Sequence, residues 1–136
     1  MHVIFLGPPG AGKGTQAKIL AKKLNIPHLS TGEILRIMSS KNNYIGKSLK
    51  DIIKKGLLVS DELITTVVRE RILLEDCQHG FILDGFPRTL IQAKNLEDIL
   101  KKQNIKINTV IKIDVNEKIL IQRISGRQVC KKCNKI

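Results

Sequence analysis

Tryptophan is absent, tyrosine occurs once, and aromatic residues make up only 3% of the 136-residue chain. So few rings leave little from which to build base-stacking platforms, and nucleic acid is not an expected partner. Also missing is any apolar run near the roughly 18 residues that a membrane span needs. The N-terminus does not show a basic region, an apolar segment and a small-residue cleavage site in that order, so neither a membrane nor a secretory route is expected. Cysteine is scarce: there are three, an odd number, with Cys130 and Cys133 close together. That is no disulfide framework, and a reducing cytoplasm is the expected location. Acidic residues are outnumbered two to one, 12 against 24 basic ones, for a net charge of +12. Such an excess suits nucleic acid, an anionic membrane or a small polyanionic substrate. The lysines, however, are spread along the chain among Ile and Asn, and read first as solvated faces.

What is present is enough for one domain with a real core: 42% hydrophobic and 26% charged residues. His2–Leu6 is a short apolar run ending at a glycine and predicts a buried strand. Ala17, Leu20, Ala21 and Leu24 recur at helical spacing from 14 to 24, with Pro27 beyond to stop the helix. A very short strand is expected at 27–29, then a helix through Arg36 capped by Ser30 or Thr31. Further helices are predicted at 44–55, ended by Gly56, and at 61–75, capped by Ser60. Strands at 81–83 and 109–113 and helices at 89–103 and 116–125 complete the pattern, and Cys77 reads as a packed helix cysteine. Alternating strands and helices imply an α/β fold, a parallel sheet with helices on both faces. Two successive helices between 30 and 59 depart from the alternation and suggest a small subdomain.

Residues 7–16 read GPPGAGKGTQ, between the first strand and the first helix. Gly7 through Lys13 fit the phosphate-loop pattern G-x-x-x-x-G-K-[ST], but Gly14 stands where a hydroxyl normally reaches magnesium, and Thr15 supplies it one residue late. Glycines let backbone N–H groups turn toward an anion, the helix adds its positive end, and Lys13 adds a mobile charge. The pattern predicts a nucleoside phosphate ligand. Asp84 ends a buried strand, where ligands gather in open parallel sheets, and an aspartate there can hold magnesium through its waters. Arg123 and Arg127 lie four apart on one helical face, within joint reach of a phosphoryl group. Cys130-x-x-Cys133 is half of a tetrahedral zinc site, or a redox dithiol, or two inert thiols.

The loop GPPGAGKGTQA resembles that of the adenylate kinases and related nucleoside monophosphate kinases. Three more segments resemble family motifs in the same order: Leu29-Ser-Thr-Gly-Glu-Ile-Leu-Arg36, Gly56-Leu-Leu-Val-Ser-Asp-Glu62 and Gly80-Phe-Ile-Leu-Asp-Gly-Phe-Pro-Arg-Thr-Leu-Ile-Gln92-Ala93. Asp114-Val115, followed by Arg123-Ile-Ser-Gly-Arg127, is similar to the family's route into its lid. The resemblance covers essentially the whole chain. It implies a P-loop NTPase-type fold and the reversible magnesium-dependent reaction ATP + AMP = 2 ADP, carried out by a monomer. Kinases for another monophosphate, and an inactive fragment that still binds nucleotide, are the competing expectations. A phosphate-loop switch would, by resemblance, need a guanine-reading N-K-x-D, which the chain does not contain.

Carried residue by residue, the resemblance implies that Gly10, Ala11, Gly12, Lys13, Gly14, Thr15 and Arg127 bind ATP. It implies that Thr31, Arg36, Leu57, Leu58, Val59, Gly85, Phe86, Pro87, Arg88 and Gln92 bind AMP, Arg36 and Arg88 on its phosphate and Gln92 on its adenine. Lys13, Arg88, Arg123 and Arg127 are the implied catalytic set, and Asp84 the implied magnesium residue. The implied division is a core at 1–29 and 60–125, an AMP-binding subdomain at 30–59 and the start of a lid at 126–136. Many members carry in the lid a second cysteine pair about 15–20 residues after the first, holding structural zinc. Here Glu33 replaces the family's usual Asp, and the chain ends after Cys133-Asn-Lys-Ile. The expectation is therefore a chain truncated within its lid, with a sheet incomplete at the C-terminus and one edge exposed.

Overall fold

Strand β1, His2–Leu6, lies inside a four-stranded sheet because its side chains are apolar on both faces. Val3 and Phe5 point to one side, where Ala17 and Ala21 of helix α1, Lys13–Leu24, join Ile82. Ile4 points to the other side, into a larger core with Phe81, Leu83, Leu96 and Leu100. The computed structural model describes residues 1–126 and 128 of the chain. The remaining elements are β2, His28–Ser30; α2, Thr31–Ser39; α3, Tyr44–Lys54; α4, Asp61–Ile72; β3, Phe81–Asp84; α5, Leu90–Lys102; β4, Thr109–Lys112; and α6, Glu117–Ser125.

All pairings are parallel and the strand order is β2-β3-β1-β4. Neighbours β1 and β3 send the chain in opposite directions, β1 through α1 to the β2 edge and β3 through α5 to the β4 edge. Such a switch opens a crevice at the carboxyl ends of the two strands. The phosphate loop follows β1 there, and Asp84 ends β3 there. The expected α/β sheet with helices on both faces is thus the observed one.

Helices α2 and α3 form the departure from alternation. Gly46, in the first turn of α3, is buried against the end of α2, where a Cβ would collide with the carbonyl oxygens of Lys41 and Met38. Asn43 caps α3 by accepting from the Gly46 N–H at 2.8 Å. Gly56 ends the following turn with φ 67°, as its place after a helix requires.

Three local expectations are corrected. Helix α2 runs through Arg36 and on to Ser39, and Ser30 is its N-cap residue but makes no side-chain capping bond. The Thr31 hydroxyl instead donates across the sheet to the Asp84 carbonyl at 3.1 Å. Helix α4 stops at Ile72, and Glu75–Cys77 form a separate 3-10 turn. There the Arg71 guanidinium forks onto Asp76 at 2.8 and 2.7 Å, fixing the turn outside the helix. Cys77 is packed inside this turn, and burial pushes its thiol up to about 11.

The far edge is less enclosed. Strand β4 pairs with β1, Val110 in it is 55% exposed, and α6 buries none of its residues.

Candidate functional site

The phosphate loop turns through three glycines at positive φ: Gly7 at 146°, Gly10 at 80° and Gly12 at 91°. Each is a conformation that a side chain disfavours, so the glycines are what let the loop curl back between β1 and α1. Gly12 is the N-cap of α1 with no side-chain cap, and the first turn of the helix carries no acidic residue. Its N–H groups and dipole therefore face the loop with no acidic side chain of the turn itself beside them. Lys13 folds over this curl, donating to the Pro8 carbonyl at 2.9 Å. From α6, more than a hundred residues away, Arg123 reaches the same loop and donates to the Gly10 carbonyl at 3.3 Å. Two cations thus meet at one backbone cradle. Arg127, Cys130 and Cys133 lie outside the described residues.

Beside the loop, Asp84 ends β3 with its carboxylate largely buried. Oδ2 lies 3.1 Å from Nε2 of His28, whose side chain is equally enclosed at 9% exposure. A Cβ at Gly14 would lie 3.4 Å from the same Oδ2. The missing side chain at 14 and the carboxylate at 84 therefore border one space. Among the described residues no group of three or more His, Cys, Asp or Glu gathers as a metal cage. A single carboxylate next to a phosphate cradle is nonetheless the donor set that suits magnesium, which keeps its waters and takes phosphate oxygens.

On the other side of β3 the chain turns through Gly85, at φ 83°, and the cis Phe86–Pro87 bond. Phe86 is fully buried in the larger core. Arg88 stays exposed, with Nε donating to the Gly85 carbonyl at 2.7 Å. A Cβ at Gly85 would lie 3.0 Å from Arg88 Nη2 and 3.4 Å from Thr31 Oγ1, so these three residues form one cluster. Arg36 lies on the exposed side of α2, its Nη1 near Gly32. No ion pair joins it to Glu33 among the described residues. Leu57 and Leu58 are exposed at 61% and 98%, while Val59 packs on the larger core.

Gln92 is the most enclosed polar side chain of the group, at 3% exposure. Its Oε1 accepts from the Arg88 backbone N–H at 2.7 Å, and its Nε2 donates to Asp61 Oδ1 at 2.7 Å. The other Asp61 oxygen accepts from the Thr89 hydroxyl at 3.0 Å. Sequence reasoning named neither Asp61 nor His28 as part of the site. Asp61 stands in a quoted motif, but its partner is 31 residues away; His28 meets Asp84 only because β2 pairs with β3. A cavity of about 560 Å³ opens elsewhere, on the other flank of α2 among Ile34, Ile37, Met38, Leu73 and Leu74. None of the expected site residues lines it.

Phosphate cradle, strand-end carboxylate and arginine cluster occupy one crevice, in the order in which the sequence motifs supply them. The adenylate kinase family profile matches residues 5–135. The chain belongs to the adenylate kinase family. It is 49% identical over 136 residues to an adenylate kinase of Thermosipho melanesiensis, covering all of this chain and 64% of that protein. It is 48% identical to an adenylate kinase of Thermotoga petrophila, over 99% of this chain and 62% of the relative. To that of Fervidobacterium nodosum it is 50% identical, over 100% and 62%. The chain therefore spans less than two thirds of the length of these adenylate kinases.

Proposed function

We propose that this adenylate kinase family chain carries the phosphate-binding and acceptor parts of a phosphotransferase for the magnesium-dependent reaction ATP + AMP = 2 ADP. The observation that carries the reading is the meeting of Lys13 and Arg123 at the phosphate loop beside Asp84, with Arg88, Thr31 and Gly85 on the adjoining side of β3. Two polyanions brought together need cations around both, and this arrangement supplies them from opposite sides of one strand. In this reading residues 1–29 and 60–125 are the core, 30–59 the acceptor subdomain and 126–136 the beginning of a lid.

The loop from Gly10 to Thr15 holds the β- and γ-phosphates of ATP through N–H groups, and Lys13 leaves the Pro8 carbonyl to meet them. Arg88 and Arg36 fork onto the acceptor phosphate, the geometry a planar guanidinium suits. Gln92 takes the adenine edge, with the 57–59 backbone, Phe86 and Pro87 along the same side. Arg123, joined by Arg127, stabilises charge on the phosphoryl group in flight, in a loose transition state that asks for positioning more than covalent chemistry. Asp84 would hold magnesium through water, and when bound the ion supplies charge neutralisation on the phosphate oxygens. No general base is needed, because the attacking phosphate oxygen is largely ionised near neutral pH.

A coupled ADP-formation assay with ATP and each of AMP, CMP, UMP and GMP tests this. ADP is expected with AMP, and Arg88→Ala and Arg123→Ala are each expected to lower turnover by about 10²-fold or more with the fold retained. Near-normal turnover in both variants overturns the assigned roles. Preference for another monophosphate moves the chain to a sister specificity, and nucleotide binding without turnover marks a binding fragment.

A further inference from the structure

We infer that Asp61 is the residue that fixes adenine specificity, by holding the Gln92 amide in one of its two orientations. A glutamine amide reads a base edge only if its donor and acceptor ends are on the correct sides; flipped by 180°, it reads the inverse edge. An ionised carboxylate only accepts, so Asp61 Oδ1 at 2.7 Å selects the NH₂ end of Gln92. A backbone N–H only donates, so Arg88 N at 2.7 Å selects the oxygen end. Both contacts are charge- or backbone-defined, and flipping the amide would set oxygen against carboxylate and NH₂ against N–H. Asp61 is itself held in place, because its second oxygen accepts from Thr89 and it opens α4 behind the Ser60 cap. Thr89 also caps α5 one turn before Gln92, accepting from the Gln92 N–H at 3.1 Å. Asp61, Thr89 and Gln92 thus lock two helix starts and one amide together.

The committed amide keeps one unused N–H and one unused oxygen lone pair. In a fixed order they match the adenine edge, where N1 accepts and the 6-amino group donates. Inosine monophosphate presents the inverse, a donating N1–H beside an accepting O6, and needs the flipped amide. Asp61 is therefore a positioning residue that never touches the nucleotide yet sets which edge is read. The inference rests on the proposed acceptor site, where Gln92 faces the base.

The test compares the wild-type chain with Asp61→Asn, which keeps the shape of the side chain but can present either end of its own amide to Gln92. AMP and inosine monophosphate are titrated into both. The wild type is expected to prefer AMP, and the preference is expected to narrow about tenfold in Asp61→Asn, the scale of one hydrogen bond to a charged group. An unchanged preference overturns the inference. In the ligand-free wild type, the Gln92 side-chain NH₂ signals, assigned by their loss in Gln92→Glu, should be shifted and slow to exchange with solvent. Signals at free-glutamine positions overturn the inference even if Asp61→Asn does not fold. A wild type that binds neither nucleotide but shows locked Gln92 signals overturns the acceptor-site reading instead, and the specificity role with it.

Discussion

The two sides of the crevice are built differently. On the proposed acceptor side, Thr31 and Gln92 are buried polar residues with partners on other elements, so β3, α2, α4 and α5 are tied by hydrogen bonds. On the proposed donor side, one bond of Lys13 runs to the Pro8 carbonyl of its own loop, Arg123 makes a longer bond at 3.3 Å, and the helix that carries Arg123 buries none of its residues. Buried polar groups are costly unless satisfied, so a satisfied network holds one geometry. The exposed Arg123, on a helix that buries none of its residues, is less constrained. In the proposed reading the acceptor pocket is therefore preformed, while Arg123 adjusts around the phosphates.

Packing separates the two sides most strongly. Phe86→Ala, at a fully buried position in the acceptor turn, is expected to cost about 3–5 kcal/mol in urea unfolding. Ile121→Ala, on α6 and 62% exposed, is expected to stay within about 0.5 kcal/mol. Equal costs would mean that the two sides are equally consolidated. Polar contacts sharpen the contrast on a smaller scale. Thr31→Val removes the bond to the Asp84 carbonyl and is expected to cost about 1–2 kcal/mol of stability. Arg123→Ala, by contrast, should leave the urea midpoint in place, because its bond to Gly10 is exposed.

The smallest expected effect lies outside both sides. Burial, with help from the nearby amino terminus, pushes the His2 imidazole below its ordinary value of 6.5, and a bond with the Lys106 backbone offsets part of this. The unfolded chain then takes up a proton first. Stability is full above pH 6.5 and is lost as pH falls through the lower, folded value. Unfolding midpoints from pH 8 to pH 5 should show a shallow decline that His2→Asn flattens. A slope of the opposite sign would contradict the burial of this ring against Phe81.

Much of this was legible in the sequence because periodicity and punctuation are local. The apolar runs at 2–6 and 81–83, the Ser60 cap and Gly56 after α3 gave the order of elements and the parallel sheet. The phosphate loop announced itself through glycines whose positive φ the structure requires. What escaped was pairing between distant residues. Nothing in a helix period says that a first-turn aspartate at 61 will seize Gln92, or that a strand histidine at 28 will sit on Asp84. Those contacts exist only once β2 lies beside β3 and α4 beside α5. Helix ends were legible only approximately: α4 stops at Ile72, and the Arg71–Asp76 pair beside that end is a contact that no propensity encodes. The membership itself was readable from ordered motifs, since each is a short local pattern with a fixed chemistry.

In the proposed reading the acceptor side is preformed and takes AMP without the donor nucleotide. Titration of AMP alone into the isotope-labelled chain, followed by backbone NMR, tests it most directly. The account predicts saturable shifts at Thr31, Gly85, Arg88 and Gln92, with Gly10 through Thr15 little changed. Shifts concentrated in Gly10–Thr15, or no saturation without ATP, would contradict it.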